Sequence, residues 1–446
     1  MSSRKHDPRG QFESVRAIAA ALTRTDEVCL LNFLGEDSDF VRLSHGRMRQ
    51  AGHVLHSELR VCLIRGRRQT QGACTLTHDL TYNRSRLEKL FSELRSQLDF
   101  VHDDPYLLYA TAVCSTEDDR HFDLPDSEHA LTEILAATDG LDLVGLWANG
   151  TLYRGFANSL GQTNWFSTGS FHLDSSCHVD NGQSVKLGYA GQAWQSEDLR
   201  RAVGRVREHL EVLYRPPKAL APGRYRAFLA PQALGEILGL LGWGGFSLKS
   251  LRTQHTPLIK LMRHEKALHP SVTLVEEHAR GLNPQFTSSG FLKPRAVSLI
   301  ESGRFVDCLA DQRSAAEYRI ALNTESETPM SLVMESGRLP MSLDLLEELE
   351  TGLYVGNLWY CNFSDRYDCR VTATTRFACF WVEGGALQAP ITTMRMDETL
   401  YHLLGDGLIG LTAEREFIID PGTYEWRSTA SMLLSGALID GVTFTM

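Results

Sequence analysis

Two proline-bearing breaks, Arg215-Pro216-Pro217 and Pro222-Gly223, interrupt the middle of the chain, and neither a helix nor an interior strand passes easily through such a segment. The patterns on either side differ. Before the breaks, residues 12–23 have helical periodicity, with Val15, Ile18, Ala19 and Leu22 on one face. A strand at 28–34 follows, and residues 40–43, 52–55 and 59–77 alternate between apolar and polar like half-buried strands of an antiparallel meander. Amphipathic helices are predicted at 86–98 and 127–137, the second capped by Ser127, and a hairpin around Asn149-Gly150 joins 142–149 to 151–156. Strands at 165–173 and 185–189 and a charged helix at 197–213 complete this half. Beyond the breaks, strands are predicted at 225–230, 272–276, 297–301, 352–362, 368–383 and 432–446, with helices at 231–241 and 343–350. The expected fold is α+β: an N-terminal mixed α/β domain over 1–215, then a mainly antiparallel β, barrel-like C-terminal domain over 224–446.

Composition narrows the function. A chain of 446 residues with 43% apolar content is long enough for two cores. A formal net charge of -10 argues against nucleic acid, which requires clustered Lys and Arg. The basic run from Arg65 to Arg68 reads as the solvated face of a strand. Residues 1–11 are polar with no apolar signal-like segment after them, and no run approaches the roughly 20 apolar residues of a membrane helix. A cytoplasmic protein is therefore expected. The nine cysteines, at 29, 62, 74, 114, 177, 308, 361, 369 and 379, never form CxxC and suit free thiols.

Two motifs invite chemistry. Gly405-Asp406-Gly407-Leu408-Ile409-Gly410 matches GxGxxG, but too little chain follows for the βαβ unit a dinucleotide site requires, so a loop is predicted. Gly239 to Gly245 reads as a helix exit, and Walker A, GxSxG and SxxK patterns are absent. His264-Glu265-Lys266-Ala267-Leu268-His269 has the letters of an HExxxH metal site, with Glu265 as the base. Helical residues five apart differ in direction by about 140°, so the two imidazoles converge only if the helix bends. Pro270 could supply a terminating turn, which keeps His264 and His269 as an alternative metal pair beside a plain polar segment.

Gly352-Leu353-Tyr354-Val355, Asn362-Phe363-Ser364-Asp365, Thr375-Arg376-Phe377, Phe380 to Gly385 and Ala389-Pro390 together resemble the C-terminal sheet of the TldD/PmbA (TldE) family. Phe286 to Gly290, Val297 to Gly303 and Leu309-Ala310-Asp311 extend the likeness, and Asn149-Gly150 before Gly155 resembles its N-terminal half more loosely. The resemblance implies that a TldD-type subunit carries HExxxH and a later cysteine as zinc ligands, whereas a TldE-type subunit lacks them and pairs with it. The family motif opens the helix after a strand. At that place this chain reads Gly235-Glu236-Ile237-Leu238-Gly239-Leu240, so Gly235 and Leu240 stand where histidines would be, and no cysteine follows Cys379. Where many relatives are acidic, this chain has Thr287-Ser288-Ser289.

The expected role is thus a non-catalytic, TldE-like subunit of a heteromeric zinc peptidase acting on unfolded or small peptides. This chain would hold no cofactor and its TldD-like partner would hold the zinc. Asn357, Trp359, Tyr360, Asn362 and Arg376 are candidate peptide-binding residues, since an extended peptide can add to a sheet edge. The alternatives are an autonomous metallohydrolase using His264, Glu265 and His269, or a non-enzymatic interaction or regulatory protein. A homodimer is the alternative state of the isolated chain.

Overall fold

A computed structural model describes residues 7–340 and 344–445, and its strands form two sheets. Leu343 and Met446, each at the end of a predicted element, lie outside the described residues. The first sheet contains β1 (Val28–Ser44), β2 (Arg47–Arg65), β3 (Arg68–Thr75), β4 (Thr116–Asp119), β5 (Asp142–Asn158), β6 (Thr163–His178) and β7 (Ser184–Gly191). Their order is β3-β2-β1-β5-β6-β4, with β7 also on β6. All pairs are antiparallel except β4 with β6.

Strand parity explains how this sheet is covered. Odd positions such as Phe33, Leu59 and Trp165 meet Phe12 and Val15 of α1 (Pro8–Leu22) and Leu87 and Phe91 of α2 (Leu80–Leu98). Further along the same face, Val41, Trp147 and Phe171 meet Ile134 of α3 (Ser127–Ala137) and Val203 of α4 (Ser196–Leu213). Even positions, Leu30, Ile64, Phe156 and Phe166, bury the opposite face against Phe286 from the second half of the chain.

Three local expectations are corrected. The predicted hairpin at Asn149-Gly150 is an unbroken stretch of β5, where Gly150 lies between Ser38 of β1 and Ser170 of β6. A Cβ there would collide with the Asp37 carbonyl oxygen, and Asn149 donates its amide to Pro125 O at 2.9 Å, so the pair serves close strand approach instead of a turn. The true β1–β2 turn uses His45 and Gly46, with φ of 51° and 62°, as a tight hairpin turn demands. Helix α3 is capped by Asp126, whose carboxylate accepts from Glu128 N and His129 N, and Ser127 is already helical. The run from Arg65 to Arg68 spans the β2–β3 turn, where Arg65 pairs with Asp26 and Glu27, Arg68 pairs with Asp103, and Arg67 donates to Pro105 O at 2.7 Å.

The second sheet comprises β8 (Gly223–Leu229), β9 (Leu274–Glu277), β10 (Ala296–Glu301), β11 (Arg304–Phe305), β12 (Ser331–Met334), β13 (Gly352–Asp365), β14 (Arg370–Glu383), β15 (Ala386–Pro390), β16 (Arg395–Thr399), β17 (Leu408–Ile419) and β18 (Ser431–Thr445). β18 pairs with β16 and β8, and the path β16-β14-β13-β8 returns to it, closing a ring. The other strands branch from this ring, so closure is ring-like and not that of a barrel. The sheet is mixed, since β8 with β13 and β12 with β18 are parallel. Gly405 to Gly410 is only partly a loop: a helical turn, His402–Asp406, leads directly into β17.

Helix α5 (Pro231–Gly239) fills the ring with Ala233, Leu234, Ile237 and Leu238, all buried. The remaining helices, α6 (Leu248–Arg252), α7 (Ile259–Met262), α8 (Gln312–Tyr318) and α9 (Asp344–Leu349), are short. The predicted connector is exposed between α4 and β8, and Arg215 is tied to Leu387 O at 2.8 Å. The two halves also share a core, because Ala378 and Phe380 of β14 pack with the α4 cluster.

Candidate functional site

The site begins at the β8–α5 junction. Proline at the first helical position starts α5, and after Gly239 the helix tightens into a 3₁₀ turn over Leu240–Gly242. Gly235, Glu236 and Leu240 are therefore not equivalent in environment. Leu240 is 4% exposed within the second core. A Cβ built on Gly235 would face the Leu434 and Ile418 methyl groups at 3.4 and 3.5 Å, an aliphatic wall with no donor. Glu236 is reached by solvent, yet surrounding protein displaces enough water to raise its pKa, opposed by the charge of Lys186.

Cys361 of β13 lies within electrostatic reach of Glu236. Burial pushes its thiol up to about 12, and the Glu236 charge adds to the shift, so the thiolate is not populated near neutral pH. One carboxylate and one protonated thiol do not make a tetrahedral zinc set. Among the described residues no group of three or more His, Cys, Asp or Glu side chains converges as a metal site. The residues at the motif position do not fit zinc.

The segment from His264 to His269 is not a helix. α7 ends at Met262, and His264 is exposed with a left-handed φ of 57°. His269 faces Ser271, with Nδ1 and Oγ 2.8 Å apart, while its backbone N–H donates to Leu404 O.

Beside α5 lies a small cleft of about 80 Å³ between the two halves of the chain. Lys186 and Gly188 of β7, Arg205 and His209 of α4, Gln232 of α5, Asn357 of β13, Phe377 of β14 and Glu416 of β17 contribute to its walls. Burial brings the His209 imidazole down to about 4, so it is neutral, and its ring packs on Tyr354 and Phe380. Burial raises the pKa of Glu416, against the effect of Arg205 at 3.5 Å. Of the predicted peptide-binding residues, Asn357 lines this cleft. Trp359, Tyr360 and Arg376 form an exposed cluster: the Arg376 guanidinium lies 5.2 Å from the Trp359 ring centre, and Tyr360 meets Trp359 edge-on at 5.4 Å. Asn362 lies further along β13 and caps the N–H of Phe363. Lys186, His209, Gln232 and Glu416 carried no sequence signal, since four distant elements bring them together.

β8 pairs with β13 only at Leu353 to Val355, whereas β14 follows β13 on to Asp365. On the β8 side, no strand pairs with Asn357 to Asp365 among the described residues. That leaves an edge beside the aromatic cluster, bent by bulges and by left-handed Tyr360 and Phe377.

Residues 222–445 match the model of the PmbA/TldA metallopeptidase C-terminal domain. The chain thus belongs to the PmbA/TldD metallopeptidase family. Its whole fold is similar to the crystal structure of TldE from Thermococcus kodakarensis, with a TM-score of 0.75 at 14% identity, covering 98% of this chain and 100% of that one. Two proteins described as candidate modulators of DNA gyrase also share it. The Thermotoga maritima protein has a TM-score of 0.72 at 12% identity over 97% of this chain and 100% of its own. The Bacteroides thetaiotaomicron protein has a TM-score of 0.72 at 16% identity over 98% and 99%. At these identities the likeness is one of fold. No curated protein matches the chain. No described helix is long and apolar enough to cross a membrane.

Proposed function

We propose that this chain is the non-catalytic, TldE-like subunit of a heteromeric zinc peptidase of its family, with the metal held by a TldD-like partner. The observation that carries this reading is α5: the helix where the family's ligands are expected presents Gly235 toward aliphatic side chains and buries Leu240. Glu236 without imidazole neighbours has no metal-bound water to deprotonate, and a carboxylate alone does not generate hydroxide near neutral pH. The contribution of this chain is recognition. The unpaired stretch of β13 can hydrogen-bond an extended peptide through its backbone, which binds with little sequence preference. Trp359, Tyr360 and Arg376 supply stacking area beside it, and Asn357 an amide within the cleft. A subunit committed to such a partner buries on the order of 2,000 Å² or more in the joint interface. Co-expression with the HExxxH-bearing subunit of the same source tests the proposal. A stable mixed complex whose peptidase activity neither chain shows alone is the expected result. A zinc subunit that is fully active alone and never co-purifies with this chain would overturn it.

A further inference from the structure

A second, larger cavity of about 430 Å³ lies away from the α5 cleft, between the even-numbered face of the first sheet and loops of the second half. Its volume suits a small organic molecule. Leu30, Ile64, Leu107 and Phe286 provide apolar wall, while Arg60, Gln69 and Gln71 stand where solvent reaches it. Lys293 also lines it. That side chain is 9% exposed, and its ammonium has no hydrogen-bond or ion-pair partner among the described residues. The local backbone explains its position: Lys293 N–H donates to Gln285 O at 2.7 Å, anchoring the residue behind the Thr287-Ser288-Ser289-Gly290 turn.

An unpaired buried ammonium is costly unless something of opposite charge joins it. Two carboxylates share the walls, but both are engaged elsewhere. Glu276 accepts from Met330 N and Ser331 N, each at 3.0 Å, and Glu325 accepts from Ser288 N at 2.7 Å and Ser288 Oγ at 2.6 Å. Burial moves Glu276 toward its neutral form and brings Lys293 down to about 8, opposed in Lys293 by the charges of Glu276 and Glu325, which act on it without ion-pair contact. Arg154 adds a second cation to the wall; it donates to the backbone carbonyls of Tyr153 and Gly35, and its guanidinium lies 5.9 Å from the Trp426 ring centre.

We infer that this cavity binds a small organic monocarboxylate, with its anionic end on Lys293 and its apolar body against Phe286 and Ile64. The site is separate from the peptide edge and does not rest on the subunit reading. The test is calorimetric titration of the full chain with 3-phenylpropionate and with straight-chain monocarboxylates of about six to twelve carbons. 3-Phenylpropionamide serves as the uncharged control. Saturable binding that weakens at least about tenfold for the amide and in Lys293→Met, but not in Lys266→Met on the surface, is expected. The thermal midpoint of unliganded Lys293→Met should stay close to that of the native chain, because the lost attraction to Glu276 and Glu325 offsets the relief of no longer burying the ammonium. The inference fails if no carboxylate saturates below about 1 mM, or if Lys293→Met binds as well as the native chain. It also fails if that variant is strongly destabilised, which would mark Lys293 as part of a structural charge network filled by water.

Discussion

Replacing Arg427 with methionine should destabilise the chain by about 3–5 kcal/mol, although the residue lines neither candidate site. Arg427 comes from the loop before β18 and is inserted, fully buried, into the even-numbered face of the first sheet. Its Nε lies 3.5 Å from Glu36 Oε1 and donates to Ser38 Oγ at 3.0 Å, while Nη1 reaches Ser170 O at 2.9 Å and Nη2 reaches Gly150 O at 2.7 Å. Burial opposes the cation and brings its pKa down to about 10, with Glu36 holding it up. Methionine would replace the aliphatic stem but take the guanidinium away from the Glu36 carboxylate, which keeps the Arg427 backbone N–H at 3.2 Å and the more distant Arg154 charge, and would remove a donor from the Ser170 and Gly150 carbonyls. Each unmet acceptor costs about 1–3 kcal/mol. The losses overlap in one network and do not add, so the value for a broken buried pair is the appropriate one. Adding Glu36→Gln removes the stranded charge and should restore about 2 kcal/mol. Urea unfolding followed by circular dichroism measures both changes. A loss below about 1 kcal/mol, or no recovery in the double variant, would refute the claim that this arginine joins the two halves.

Acid should weaken the fold in two windows. His172, His209 and His278 are held near 4 by burial against an ordinary 6.5, so the unfolded chain takes up protons first and stability falls as pH drops from 6.5 to 4. Glu27, hydrogen-bonded by Arg95, is depressed from 4.5 to about 2, so its contribution of about 3 kcal/mol is complete above 4.5 and lost as pH falls to 2. A urea midpoint that stays flat from pH 7 to 4 would contradict the first window, and Arg95→Met should shrink the second, since Arg65 and the Arg24 backbone N–H still hold Glu27. We place the domain boundary at the exposed connector, and limited proteolysis should cut first between Arg215 and Arg224. Preferred cutting inside either sheet would count against that boundary.

Periodicity revealed most of the long elements because amphipathic burial governs them: the apolar faces of α1 and α4, and the strands around Val61, Phe171 and Phe380, have their buried residues at the expected spacing. Turn chemistry was less legible. Asn149-Gly150 has the letters of a hairpin, but neighbouring strands on both sides decide that Gly150 stays extended, and a single sequence does not display those neighbours. β17 was hidden because Gly405, Gly407 and Gly410 looked like a loop, although its pairing with β18 fixes it. The degenerate motif was visible as Gly235, Glu236 and Leu240. The cleft beside it was not, since Lys186, His209 and Glu416 meet only through tertiary packing. Lys293 drew no attention either, because an isolated lysine in a loop reads as solvated until its burial is known.

The central claim is that α5 of this chain cannot hold the metal and that the partner does. Zinc content by mass spectrometry, measured on the isolated chain and on its complex with the HExxxH-bearing subunit, tests it most directly. The isolated chain should hold well under one equivalent and the complex about one, the zinc following the partner when the two are separated. Stoichiometric zinc in the isolated chain that disappears in a His264→Ala, His269→Ala double variant would contradict it and make the chain a metallohydrolase in its own right.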